Sequence, residues 1–329
     1  MCTVLQSIKK PPTSSGSILI LWGDASGSAV MRTFTKRLPG SCTLVMLGVA
    51  ALALGAGANA GMSADASGAG MRRLAQQAPP TDYHSGVLGT QDHRVPMVSD
   101  RWPWSSIGRL NVITGLQRGF CTGTLIGPRQ VITAAHCLFD GKINGFVKPQ
   151  AVHFVVGQTQ DKFVGHSIAT SFVTSPDFRF KLEERPRWDQ IGSEMVKNDW
   201  AIIALEKPLL PAAIPIRAMP QADLPDRSGQ AEIALAGYGG DHPFVLSAHR
   251  RCTASTDVPS AGSLTDTCDS MPGESGSPVL LLDGDQAWII GIHTTVYASF
   301  ESGVGYHALK GRGVSASMFE MAARTALAK

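Results

Sequence analysis

From Val95 onward, apolar residues come in short runs separated by clusters of Gly, Pro and Asp. The runs are Ser106–Ile113, Gly123–Ile126, Gln130–Thr133, Val152–Val156 and Ala201–Leu205, then, after Pro211, Ala231–Ala236, Pro278–Leu282 and Ala287–Ile292. Short runs at this spacing, closed by turn residues, predict strands, and many such strands predict an all-β sandwich or barrel. The stretch Ser315–Ala328 differs. It suits an amphipathic helix closing the chain, with Ser315 and Ser317 both candidates for its N-cap.

Upstream of Val95 the pattern changes. Residues 42–60 are apolar and small, end in Ala58-Asn59-Ala60, and follow Arg32, Lys36 and Arg37. A basic segment, an apolar core and a small-residue site read as a secretory signal peptide over 31–60. A retained membrane anchor ranks second, because the segment is short and rich in Gly and Ala. Met31 would open such a signal, so residues 1–30 are expected to be a dispensable or mis-assigned leader. Residues 61–94, rich in Gly, Ala, Ser, Gln and Pro without periodicity, read as a pro-segment or linker. Removal is expected somewhere in the 85–100 region. Arg72-Arg73 is a candidate processing site, although an arginine pair in a solvated linker is usually no more than that. A secreted protein without stable membrane association after signal cleavage is the expectation.

Composition adds limits. Apolar residues make up 43% of the chain and charged residues 17%, which suits a globular protein with a sizeable core. The net charge of +3 misleads, since residues 95–329 hold 21 Lys and Arg against 22 Asp and Glu. With no basic stripe and no aromatic RNA motif, nucleic acid is not an expected partner.

The candidate chemistry centres on Gly273-Glu274-Ser275-Gly276-Ser277-Pro278. A serine hydroxyl needs a base and donors for the oxyanion it creates. Gly273 allows a tight turn, and the N–H groups of Gly273 and Ser275 can form an oxyanion hole. Alone, the stretch reads better as a Gly/Ser/Pro turn before a buried strand, because such turns are common. Upstream, however, His136 follows a strand-like run and two alanines, with Cys137 beside it, and Asp199 heads the apolar run Ala201–Leu205. Ser277 is a rival nucleophile two residues on.

The order His136, Asp199, Ser275, each in its own motif, resembles the chymotrypsin/trypsin-like serine endopeptidases over residues 95–329. The resemblance implies two six-stranded Greek-key barrels, divided near 208–215, with the active site between them and a C-terminal helix. It implies Ser275 as nucleophile, His136 as base and Asp199 as the acid holding the imidazole, acting on protein or peptide substrates. A monomer without metal or cofactor is the expectation. Digestive members carry an aspartate just before the nucleophile, which pairs with a new N-terminus after activation; here that position is Glu274. Cys268-Asp269-Ser270, Gly276-Ser277-Pro278 and Gly291-Ile292-His293-Thr294 are similar to the bacterial glutamyl-endopeptidase branch.

Of six cysteines, Cys2 and Cys42 fall in segments expected to be lost. The other four, Cys121, Cys137, Cys252 and Cys268, allow three pairings. The family resemblance supports Cys121–Cys137, from which Cys252–Cys268 follows. No Cys/His cluster has zinc spacing. Two substrate-binding candidates pull apart. Asp269 lies where the trypsin group keeps the acid that binds basic P1 residues. His293 lies where the glutamyl endopeptidases keep the histidine that meets an acidic one, with Ser270 and Thr294 as hydroxyl donors. The resemblance favours acidic P1, with Asp269 turned away toward backbone N–H groups. An apolar pocket with His293 as a packed strand residue is the plainer alternative.

Overall fold

A computed structural model describes residues 18–23, 29–34 and 86–329, the last apart from 115–116, 180–192, 227, 257–261 and 302–304. Most of the expected leader, signal peptide and pro-segment therefore lies outside the described residues, residues 86–94 of the pro-segment being within them. Residues up to Met71 form a unit separate from Arg72–Lys329. In the first unit, β1 (Ile18–Gly23) and β2 (Ala29–Phe34) pair antiparallel, Ile18 opposite Phe34.

The second unit opens with β3 (Val95–Pro96), then β4 (Ile107–Thr114), β5 (Gln117–Leu125) and β6 (Gln130–Thr133). A small pair, β7 (Phe139–Asp140) and β8 (Gly145–Phe146), precedes β9 (Val152–Val156) and β10 (Gly165–Thr174). A short helix, α1 (Ser193–Lys197), leads into β11 (Ala201–Leu205). Six of these strands close an antiparallel barrel in the order β10-β11-β6-β5-β4-β9. The remaining strands are β12 (Glu232–Tyr238), β13 (Leu246–Cys252), β14 (Ala254–Thr256), β15 (Ser263–Asp266), β16 (Pro278–Asp283), β17 (Gln286–Glu301) and β18 (Gly305–Ser315). With β3 they form an eight-stranded sheet, ordered β14-β15-β18-β17-β16-β12-β13-β3.

The second half differs from the first in that its ladder runs through eight strands without closing. The difference lies in the ladder more than in the course of the chain. β13 and β14 stand near opposite ends of the sheet, yet only Thr253 separates them in sequence. The sheet must therefore roll until its ends nearly meet. At the C-terminus, β18 runs through Ser315, a 3-10 turn follows at Ala316–Met318, and α2 spans Glu320–Leu327. Neither serine caps α2. Phe319 holds the N-cap position, and the Ser317 hydroxyl donates instead to Ser315 Oγ at 3.1 Å.

Alternation along the strands builds three cores. In β11, Ala201, Ile203 and Leu205 enter the barrel interior with Leu110, Leu125, Val131 and Phe154, while Ile202 faces the other way. In β12 and β16, Ile233, Leu235, Val279 and Leu281 fill the inside of the rolled sheet around Cys252 and Cys268. Ala234, Tyr238, Leu280 and Leu282 meet Ile107, Ile132 and Ile202 from the barrel in a core shared by both halves. A period of two on strands buried on both faces allows this double use. The segment carrying residues 208–215 joins β11 to β12.

Candidate active site

Register brings the first two site residues together. Thr133 of β6 is paired with Ala201 of β11, antiparallel. Chain leaving β6 and chain entering β11 therefore share one end of the barrel. His136 sits there in the 3-10 turn Ala135–Leu138, and Asp199 just before β11. His136 Nδ1 lies 2.6 Å from Asp199 Oδ2, and the His136 backbone N–H donates to Asp199 Oδ1 at 2.8 Å. Two contacts from one carboxylate fix both the imidazole tautomer and its turn. Burial pushes the imidazole pKa down, but the Asp199 charge and hydrogen bond outweigh it, so the pKa is raised above its ordinary 6.5.

Ser275 comes from the opposite half, in the turn before β16. The Glu274 N–H donates to Met271 O and the Ser277 N–H to Glu274 O, each at 3.0 Å. Gly273 and Gly276 take φ of 103° and 82°, left-handed values that disfavour other residues. A Cβ on Gly276 would also run into Thr122 O, Thr133 Oγ1 and Ala134 N. Among the described hydrogen bonds, the N–H groups of Gly273 and Ser275 donate to no protein acceptor, whereas those of Glu274, Gly276 and Ser277 do. Two undonated N–H groups, one from Ser275 itself and one two residues before it, are what an oxyanion hole requires.

Two buried threonines, not singled out by the sequence reading, clasp this turn to the barrel. The Thr122 N–H donates to Ser275 O at 2.9 Å, and its hydroxyl donates to Gly273 O at 3.1 Å. The same hydroxyl accepts from the Tyr238 N–H, and Thr133 Oγ1 donates to Thr122 O at 2.7 Å. Thr122 follows Cys121 directly, which is the only sequence cue to it. The bridges Cys121–Cys137 and Cys252–Cys268 are both formed. The first ties β5 to the histidine turn, and Cys137 Sγ lies 3.8 Å from both His136 Nε2 and Ser275 O. The second joins the end of β13 to the stretch leading into Ser275.

The Ser275 hydroxyl is half-buried and donates to Thr294 O at 3.4 Å rather than to His136. Ser277, by contrast, is fully buried, with a hydroxyl that finds no partner among the described residues. It cannot reach a substrate. His293 is buried on β17; its backbone bonds the Gly276 N–H and Ser277 O, and its Nδ1 lies 3.3 Å from Asp266 Oδ2. The Thr294 hydroxyl donates to Arg312 O, and Ser270 exchanges backbone bonds with Gly86. Asp269 is fully buried and turned away. It accepts from the Leu88 N–H at 2.7 Å and the His93 N–H at 2.8 Å, and His93 Nδ1 lies 2.9 Å from it. Its carboxylate is thus engaged with the 88–93 segment.

His93, His249 and Asp269 also form a cluster with metal-like spacing. Its lone pairs are occupied, however, since His249 Nδ1 accepts from the Asp269 N–H at 2.8 Å and Asp269 Oδ2 from the His93 N–H. The other such cluster, Cys121, His136 and Cys137, has both sulfurs in a disulfide.

A closed six-stranded antiparallel barrel, a rolled partner sheet and a C-terminal helix, with a His–Asp pair and a serine turn at their junction, define the chymotrypsin fold. A family model for trypsin matches residues 96–307, and the chain belongs to the trypsin family of serine proteases. Serine protease 23 of Mus musculus is 30% identical over 255 residues, 73% of this chain and 59% of its own length. The Homo sapiens protein of that name is 32% identical over 172 residues, 48% of this chain and 42% of its own. The chain thus spans less than two thirds of these relatives' length. A solved Glu endopeptidase in complex with MPD has the same fold at a TM-score of 0.51, with 21% identity, covering 74% of this chain and 100% of that one.

Proposed function

We propose that this chain is a secreted serine endopeptidase that cleaves peptide bonds after acidic residues. The observation carrying the reading is the His136–Asp199 pair beside a serine turn whose Gly273 and Ser275 N–H groups are undonated. His136 Nε2 takes the Ser275 hydroxyl proton as Oγ bonds to the scissile carbonyl carbon. The oxyanion forms against the two free N–H groups. The C–N bond then breaks as the imidazolium gives its proton to the leaving amine, and water repeats the sequence to release the acid. Asp199 keeps Nδ1–H fixed and offsets the imidazolium charge. Engaging His136 takes a rotation of the Ser275 side chain away from Thr294; such contacts tighten when substrate arrives.

Two observations favour an acidic P1 residue. Asp269 turns its charge onto backbone donors, so it does not repel a carboxylate. His293 lies beside the serine turn, with Asp266 to orient its ring. The glutamate preference in the name of the solved structural relative agrees with this. Two disulfides suit an oxidising compartment and thus export. Peptides differing only in Glu, Arg or Phe at P1 test the specificity: Glu should win, preference for Arg would restore a basic specificity, and preference for Phe an apolar pocket. A non-catalytic binding protein on the same fold is the other reading, favoured by the Ser275–Thr294 contact. A fluorophosphonate probe should label Ser275; no labelling would establish that alternative.

A further inference from the structure

Residues 86–97 lie across the rolled sheet and reach both carboxylates that border the serine loop. Gly86 exchanges backbone bonds with Ser270, and the Leu88 and His93 N–H groups hold Asp269. Val95 and Pro96 pair with Ala248 and Ser247, and the Met97 N–H donates to Leu246 O at 2.8 Å. Between these anchors Arg94 turns inward, its side chain 4% exposed. Its guanidinium lies 3.5 Å from Glu274 Oε1 and 2.5 Å from Asp241 Oδ2, with Asp92 at 2.7 Å on the outer side. Glu274, 1% exposed, also accepts the Met271 N–H at 2.6 Å through Oε2. The carboxylate immediately before Ser275 thus bridges the start of its own loop and an arginine 180 residues away in sequence.

We propose that Arg94 is a positioning residue, an internal cation that holds Glu274 and the turn bearing the oxyanion donors, so that the site is competent without a chain-terminal ammonium. The proposal rests on the reading of Ser275 as nucleophile. A buried carboxylate needs a partner, and losing that partner leaves it either an uncompensated charge or a protonated group released from its clasp. Here that group sits one residue from Ser275 and two from Gly276, between the Gly273 and Ser275 donors. Misaligning one such donor costs about 10²–10³-fold in kcat. The forked guanidinium spans Glu274 and Asp241 together, which a lysine ammonium reproduces only in part. The same geometry makes the strap a component of the working enzyme, not a piece to be removed with the leader.

In the full chain, Arg94→Met should lower kcat by about 10²-fold or more, with a smaller change in KM. Arg94→Lys should recover part of the loss, and added guanidinium should partly rescue a chain carrying Arg94→Ala. The double variant Arg94→Met, Glu274→Gln should be less impaired than additivity allows, because the unpaired charge is gone. N-terminal sequencing of the active form needs no variant and should find a start upstream of Arg94. A fully active form starting at Val95 or later, or Arg94→Met and Arg94→Lys both matching the parent, would overturn the proposal. If the parent protein itself neither labels with fluorophosphonate nor cleaves peptide, the reading of Ser275 fails instead.

Discussion

The barrel and the rolled sheet each deliver part of the site, and they do so by different physics. The barrel positions His136 and Asp199 through backbone register. Once Thr133 faces Ala201, the two turns must share one end, and a single carboxylate completes the pair. The sheet positions Ser275 with buried side chains added to the backbone bonds of its turn. Its loop depends on two buried carboxylates, Asp269 and Glu274, on a strap preceding the barrel, and on Thr122 reaching across. A ladder of backbone bonds tolerates substitution on its surface. A loop held by buried charge fails when one partner is lost, because the remaining group stays in the interior unpaired.

Substitutions can break this contrast at graded strengths. Removal of the nucleophile is the largest. Ser275→Ala should cost on the order of 10⁴-fold or more in kcat while leaving the melting temperature nearly unchanged, as peptide hydrolysis and calorimetry would record. Next come the bridges. Each closes a loop between residues 16 apart, for which the chain-entropy estimate is roughly 3 kcal/mol. Replacing both cysteines of either pair by serine should lower urea stability by about that amount. Loss of Cys252–Cys268 should reduce activity the more, since its loop leads into Ser275.

The pH profile sharpens the contrast on both sides. His136 must be neutral to accept a proton, and its pKa is raised, so the acidic limb of kcat/KM should lie above the ordinary histidine value of 6.5. Asp199→Asn removes the cause and should move that limb to lower pH, beyond its effect on rate. Glu274 behaves differently. Burial raises its pKa, and the Arg94 charge, the Met271 N–H and the His293 charge offset this only in part, with Asp241 adding to the rise; the result is about 7. Between its ordinary 4.5 and about 7, the folded protein holds a proton that the unfolded chain releases. Its contribution to stability therefore declines as pH rises through that window. Urea midpoints measured across it should show the slope in the parent and lose it in Glu274→Gln. The smallest effect is reserved for Ser277→Ala, which removes a buried hydroxyl without a partner and should leave most of the activity.

How much of this the sequence disclosed follows the same division. Val152–Val156, Gln130–Thr133 and Ala201–Leu205 emerge with the observed bounds, because strands buried on both faces are dominated by apolar residues, broken only by His153 and by the flanking Gln130 and Thr133. Strands β10, β13, β14, β15 and β18 did not stand out. β10 alternates Ser, Thr and apolar residues with a half-exposed pattern, β13 carries Arg250 and Arg251, and β18 is broken by Gly311 and Gly313. Their partners hold them extended, and a pattern along one segment does not contain that information. Among site residues, His136, Asp199 and Ser275 each had a distinctive local context. Arg94 had none: it lies in a stretch whose composition reads as linker, and its meaning comes from a carboxylate distant in sequence. The orientation of Asp269 followed the family resemblance, but its acceptors at Leu88 and His93 emerged only from the fold.

The core common to both halves has a consequence for how the molecule comes apart. Ile107, Ile132 and Ile202 interlock with Tyr238, Leu280 and Phe319, and the Tyr238 hydroxyl donates to Gln158 O while accepting the Gln158 N–H. Barrel and sheet cannot swing apart without exposing that interior to water. Heating should therefore melt them in a single cooperative transition, and the cleft between them should act as a fixed mould rather than a hinge. A peptide entering it would find its shape already set, and only side chains such as Ser275 left to turn.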